Sequence, residues 1–250
     1  MLTRSFCCFK GLSPDAESCL WRRGCLSWRH LRIGVRQVLS DAKSASVRAQ
    51  MPFFEAALGA RSADFFVNRL PDGHKLRIFP CFLPEAAFVD IETTGLSRQS
   101  VVTVIGVLRN GTIETYVRGR NLPDFIRVWQ TAGVLLTFNG TRFDLPFLMR
   151  EFGVANHPAH IDVLSEAKVW GFFDGLKEIE KKLGYERTGG ESGNGEEAVT
   201  LWRKYEATGD EDLLSRLIAY NTCDVRSLSL LAQHVWKLSC QHYDAPHPMF

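Results

Sequence analysis

A chain of 250 residues and 28.2 kDa can bury a core without staples, as one large domain or as one domain with a small appendage. Its longest apolar stretch, near residues 101–108, is far too short to cross a bilayer, and Met1-Leu2-Thr3-Arg4-Ser5 leads into no apolar run, so neither a membrane protein nor a signal peptide is expected. Seven cysteines without regular spacing argue against a disulfide framework and for a reducing compartment, so the expectation is a cytoplasmic protein without a membrane partner.

The net charge of +2 is unevenly spread. Residues 1–50 carry nine Lys/Arg against three acids, a balance of +6 that leaves −4 for the remainder. A basic lobe beside an acidic one suits a nucleic-acid enzyme, the lobe touching phosphate and the acids holding metal; a solvated basic face is the alternative. Cys7, Cys8, Cys19 and Cys25 crowd this lobe, but the adjacent pair Cys7-Cys8 is not a C-x-x-C chelate. They are read as small buried hydrophobes.

Ser13-Pro14-Asp15-Ala16-Glu17 is a helix start, with Ser as N-cap, Pro at the first position and acids in the first turn; the helix stops at Gly24. A second helix begins near Ser27 and runs towards Leu39. Each follows a Gly turn, as in a helix-hairpin-helix, although Ser13 stands where a second Gly is usual. Residues 41–70 read as helical connector, so residues 1–70 form a small N-terminal lobe and 71–250 the main domain. After the Pro71-Asp72-Gly73 turn, His74–Phe79 reads as a strand.

Ala86–Glu92 is the stretch around which the chain is organised. Apolar on both faces, it reads as a buried central strand. Asp90 and Glu92 are two apart and leave it on the face of Phe88, while Val89 and Ile91 serve the other. Residues 101–108 and 112–117 are strands joined through Asn110-Gly111, a strong hairpin signal, which predicts an antiparallel meander of three. A helix over 122–131, a buried strand over 134–138, a helix over 147–152, a strand over 160–164 and a helix over 176–183 follow. Residues 188–195 form a Gly-rich loop without phosphate-loop spacing, read as flexible. Helices over 196–208 and 211–239 close the chain. The order predicts an α/β fold, a mixed sheet flanked by helices.

Two acids ending a buried strand need positive charge, which a divalent metal would supply, unless the strand end is frayed and both acids are solvated. Asp144 lies where a strand turns into a helix and could be a plain helix-start residue. Asp224 is more telling. The last helix carries an apolar stripe through Leu213, Leu217, Leu228, Leu231 and Val235, and its steps pass through Tyr220 and Asp224. A carboxylate at a core position either pairs with a basic residue or converges with Asp90 and Glu92 on a cation.

These residues resemble a known family. Asp90-Ile91-Glu92-Thr93-Thr94-Gly95-Leu96, Asn139-Gly140-x-x-Phe143-Asp144 and Tyr220-x-x-x-Asp224 look like the three exonuclease motifs of the DEDD superfamily on the ribonuclease H-like fold, in its tyrosine branch (DEDDy). Asp162, Leu183-Gly184-Tyr185 with Arg187, and Tyr220-Asn221 also resemble the YprB-type ribonuclease H-like group, as does the N-terminal Gly11…Glu17…Leu20-Trp21…Gly24…Trp28. The resemblance spans about residues 5–235.

It implies a metal-dependent 3′–5′ exonuclease acting on single-stranded DNA or RNA ends with two divalent cations, Mg²⁺ or Mn²⁺. By that resemblance Asp90, Glu92, Asp144 and Asp224 are catalytic and metal-binding; Asp90 bridges both cations, Glu92 and Asp224 complete the first site, and Asp144 serves the second. Tyr220 orients the attacking water, and Thr93, Thr94, Leu96, Asn139, Arg142 and Phe143 contact the nucleic acid. Lys177, Lys181, Lys182 and Arg187 are candidate phosphate contacts, or else a solvated helix face. The alternative is a nucleic-acid-binding or scaffolding module on the same fold with little catalysis. The expected partner is a nucleic-acid 3′ end; the sequence leaves protein partners and oligomeric state open, a monomer being compatible with it.

Overall fold

A computed structural model of the chain describes residues 2–34, 39–187 and 195–242. The Gly-rich loop of the sequence reading lies almost wholly outside them, as does the end of its second helix. Among the described residues, no helix is long and apolar enough to cross a membrane.

A five-stranded sheet organises the fold: β1 (Ala86–Thr93), β2 (Val102–Arg109), β3 (Thr112–Val117), β4 (Val134–Thr137) and β5 (Ala159–Asp162). Their spatial order is β3-β2-β1-β4-β5. β1, β2 and β3 pair antiparallel, as the Asn110-Gly111 turn predicts, with Asp90 opposite Gly106. β4 pairs parallel to β1 and β5 parallel to β4. This is the expected mixed α/β sheet.

Period-two alternation divides β1 between two cores. Ala87, Val89 and Ile91 face Phe125, Leu145 and Leu148, which come from the segment before α6 (Ile126–Thr131) and from α7 (Asp144–Phe152). Ala86 and Phe88 face the last helix, α11 (Glu211–His242), through Leu228, Leu231 and Val235. The acids therefore leave β1 on the side that α11 covers. Leu214, Leu217 and Tyr220 of α11 also pack on Leu201 and Trp202 of α10 (Gly195–Thr208).

The N-terminal helices α1 (Pro14–Arg22), α2 (Trp28–Gly34), α3 (Asp41–Gly59) and α4 (Ala63–Val67) extend the core on the α11 side. Ser13 caps α1 as predicted, accepting from the Ala16 amide. Phe9 stacks on Phe54 at 4.1 Å, and Trp28 meets both rings edge-on. A fully buried ion pair, Glu17 with Arg77, joins this lobe to the body, and Glu17 also accepts from the amides of Phe6 and Cys7. Cys7, Cys8 and Cys25 are free and buried; burial pushes the Cys7 thiol up to about 12 and Cys25 to about 11, as expected of packing residues.

The structure corrects three local readings. His74–Phe79 is not a strand: a 3₁₀ turn over Lys75–Ile78 runs into α5 (Phe79–Phe82). Leu76, Arg77 and Ile78 are all buried, which a half-exposed strand cannot achieve, and Pro80 lacks the N–H that a ladder needs. The connector breaks after Gly59, where Arg61 takes a left-handed φ of 52° and forks onto Glu85 at 2.6 and 2.8 Å. β5 ends at Asp162 because that side chain caps α8 (Val163–Lys168), accepting from the Leu164 amide at 3.2 Å.

Candidate metal centre

The end of β1 and the middle of α11 meet. Asp90 and Glu92 leave the strand on the α11 side, and α11 brings Tyr220, Asn221 and Asp224 down to them. One carboxylate oxygen from each of Asp90, Glu92 and Asp224 lies within 4.8 Å of the others, and no other such group of three occurs among the described residues. Acids 132 and more residues apart along the chain thus share one site.

Asp90 and Asp224 are held from behind. Asn221, fully buried, donates from Nδ2 to Asp90 Oδ2 at 2.9 Å and to the Asp90 carbonyl at 3.1 Å. This is possible because Gly106 lies opposite Asp90: a Cβ there would sit 2.0 Å from Asn221 Oδ1. Asp224 accepts from Arg187 Nη2 at 2.5 Å, while Nε and the same Nη2 fork onto Glu180 at 2.7 and 2.9 Å. Glu180 belongs to α9 (Leu176–Leu183). Asp224 thus has a basic partner and also lies close to the other two acids.

Tyr220 takes a hydrogen bond from Lys177 Nζ at 2.9 Å, and the ammonium stands 4.3 Å from the ring centre. Lys177 is therefore not on a solvated face. Lys181 and Lys182 are, paired with Glu178 and Asp174.

Asp144 opens α7 and is buried, but lies outside the group of three. The turn before it is tightly built. Asn139 has a left-handed φ of 58°, and Asp162 accepts from the amides of Asn139 at 2.9 Å and Thr141 at 3.2 Å. At Gly140 a Cβ would fall 1.8 Å from Thr137 Oγ1, so only glycine fits.

Crowded, desolvated acids resist ionisation. Burial, then the charges of Asp224, Glu92 and Asp144, raises Asp90 well above the usual carboxylate range. Burial and the Asp224 charge push Glu92 up to about 8. Burial, with a contribution from Asp162, takes Asp144 to about 7. Burial also raises Asp224, against the pull of Arg187. A cluster of oxygen donors short of positive charge fits a hard divalent cation such as Mg²⁺ or Mn²⁺.

Asp90, Glu92, Tyr220 and Asp224 line a cleft of ≈ 730 Å³. Thr93, Leu96 and Phe143 line it too, as do Val199, Thr200 and Arg203 of α10. Leu96 is 84% exposed, an apolar side chain held out by the loop after β1. That loop is braced: Thr93 Oγ1 donates to the Gly95 carbonyl, and Thr94 Oγ1 accepts from the Val101 amide. Thr94, Asn139 and Arg142 are not part of the lining. Thr94 serves the loop, and Asn139 and Arg142 are exposed on the turn into α7.

Sequence reasoning missed the grips of Asn221, Lys177 and Arg187 and the α10 contribution to the lining. A buried-site Asn directly after Tyr220 was the one available signal; Lys177 sits on a helix whose spacing reads as surface, and Arg187 lies just beyond its end.

A family model described as the RNase_H superfamily matches residues 87–236. A search of curated proteins gives no match. Among solved structures, the chain is similar to a family B DNA polymerase from the hyperthermophilic archaeon Pyrobaculum calidifontis, with a TM-score of 0.47 and 19% identity over 60% of this chain. The similar region is 24% of that polymerase.

Proposed function

The chain belongs to the RNase_H superfamily, and on that premise we propose that it is a metal-dependent nuclease of the DEDDy type, removing nucleotides from single-stranded 3′ ends of DNA or RNA. One observation carries the reading: Asp90, Glu92 and Asp224 converge at the end of the central strand, in a cleft of ≈ 730 Å³.

Asp90, Glu92 and Asp224 would hold one divalent cation, and Asp144, outside that group, is assigned to a second. Bound there, such cations supply an acidified water and neutralise charge that builds up on the phosphate. The protein's own residues do the rest. Asn221 fixes the rotamer of Asp90, and Arg187 fixes that of Asp224. Exposed Leu96 and half-buried Phe143 offer apolar surface to the terminal base, and Arg203 offers a cation to the backbone. Asn139 and Arg142 would meet the strand outside the cleft. Tyr220 is too weak an acid to serve as a base: burial and the acids around it push its hydroxyl further up.

The test is hydrolysis with Mn²⁺ of matched DNA and RNA oligonucleotides. Release of mononucleotides from a free 3′ end, with protection of blocked and circular substrates, is the expected result. Cleavage of circles would make the enzyme an endonuclease. Binding without turnover in any divalent metal would favour a nucleic-acid-binding module.

A further inference from the structure

Lys177 stands apart from the other lysines of α9. Lys181 and Lys182 pair with carboxylates at 2.7 and 2.5 Å on the exposed face. Lys177 is half-buried, and among the described residues it forms no ion pair, although Glu92, Asp224 and Glu180 are all near enough to act on it. Its one hydrogen bond goes to the Tyr220 hydroxyl at 2.9 Å.

The direction of that bond is fixed. An ammonium group only donates, so the Tyr220 oxygen must accept. The phenolic proton then points elsewhere. No hydrogen bond runs from Tyr220 to Asp90, Glu92 or Asp224 among the described residues, and Tyr220 lines the cleft. The stacking of Lys177 over the ring at 4.3 Å holds the aromatic plane as well. What remains is one O–H, turned away from Lys177, on a side chain that lines the cleft beside three acids.

We propose that Lys177 is a positioning residue that makes the Tyr220 hydroxyl an obligate hydrogen-bond donor to a phosphate oxygen of the nucleotide in the cleft. This rests on the nuclease reading for its substrate class. The donated bond is formed to the ligand and leaves the proton on Tyr220, so no base role falls to the phenol. Without Lys177 nothing fixes the direction of the hydroxyl proton.

The test uses the full chain and five proteins: wild type, Lys177→Met, Lys177→Arg, Tyr220→Phe, and the Lys177→Met/Tyr220→Phe double variant. Two readouts are taken: hydrolysis of a 3′-labelled single strand with Mn²⁺, and calorimetric binding of thymidine 5′-monophosphate with Mn²⁺. The expected result is a fall in kcat/KM of about 10-fold in Lys177→Met, the loss of one preorganised donor's alignment. Nucleotide binding should weaken in Lys177→Met and in Tyr220→Phe, and the double variant should be no weaker than Tyr220→Phe alone. Lys177→Arg, also a pure donor, should recover most of both. Independent, multiplying losses in the double variant would overturn the proposal, as would a wild-type Lys177→Met or a wild type that binds no nucleotide. If wild type binds nucleotide with this coupling but turns over nothing, the nuclease reading fails and the donor assignment stands.

Discussion

Arg187 and Asp224 face each other at 2.5 Å, Nη2 to Oδ1, with the arginine side chain only 14% exposed. The same guanidinium neutralises Glu180. One cation therefore serves two acids, one inside the candidate metal centre and one outside it. The arrangement lets α11 carry a carboxylate at a core position without a metal having to be present during folding.

Replacing Arg187 with Met should destabilise the protein by about 3 kcal/mol, because it leaves two enclosed carboxylates unpaired. Chemical denaturation measures it. Mn²⁺ should recover part of the loss, since a ligand that binds the folded state alone stabilises it. A loss unaffected by Mn²⁺ would mean that Asp224 is not a ligand.

Gly106→Ala should disturb the site without touching an acid. The added methyl would fall 2.0 Å from Asn221 Oδ1 and 2.8 Å from Val225 Cγ2. A cost of about 2 kcal/mol is expected from such overpacking, with slower hydrolysis as Asn221 lets go of Asp90. Adding Asn221→Ala should return much of the stability and none of the activity. Thermal melts and rates of the two variants together check it.

Much of this was legible in the sequence. The central strand showed itself by alternation: Phe88, Asp90 and Glu92 on one face and Val89 and Ile91 on the other, and the two cores divide along that line. Asp224 showed itself by interrupting an apolar stripe. What stayed hidden depends on tertiary pairing. Arg187 and Lys177 look like surface cations because their partners lie 37 and 43 residues away. His74–Phe79 was read as a strand, whereas its Arg77 is buried against Glu17, a pairing 60 residues away that local pattern does not show. α10 joins the cleft lining with Val199, Thr200 and Arg203, residues that carry no motif.

Glu166 should make stability fall as pH rises. It is buried, accepts from the Lys75 amide at 2.8 Å, and burial pushes its carboxyl up to about 7. A folded-state value above the unfolded one means the folded protein binds the proton more tightly. Its contribution is complete below about 4.5, the unfolded value, and is lost as pH rises through about 7. Glu166→Gln, neutral at every pH, should flatten that part of the profile. Denaturation midpoints of the two proteins between pH 4 and pH 8 test it; parallel profiles would refute it.

The convergence of distant acids is tested most directly by the rate at which the protein degrades a 3′-labelled single strand with Mn²⁺, wild type against Asp224→Asn. The change removes one charge from α11 and preserves shape. A fall of at least about 100-fold, with the fold intact, is the predicted result. Equal rates in the two proteins would contradict the account.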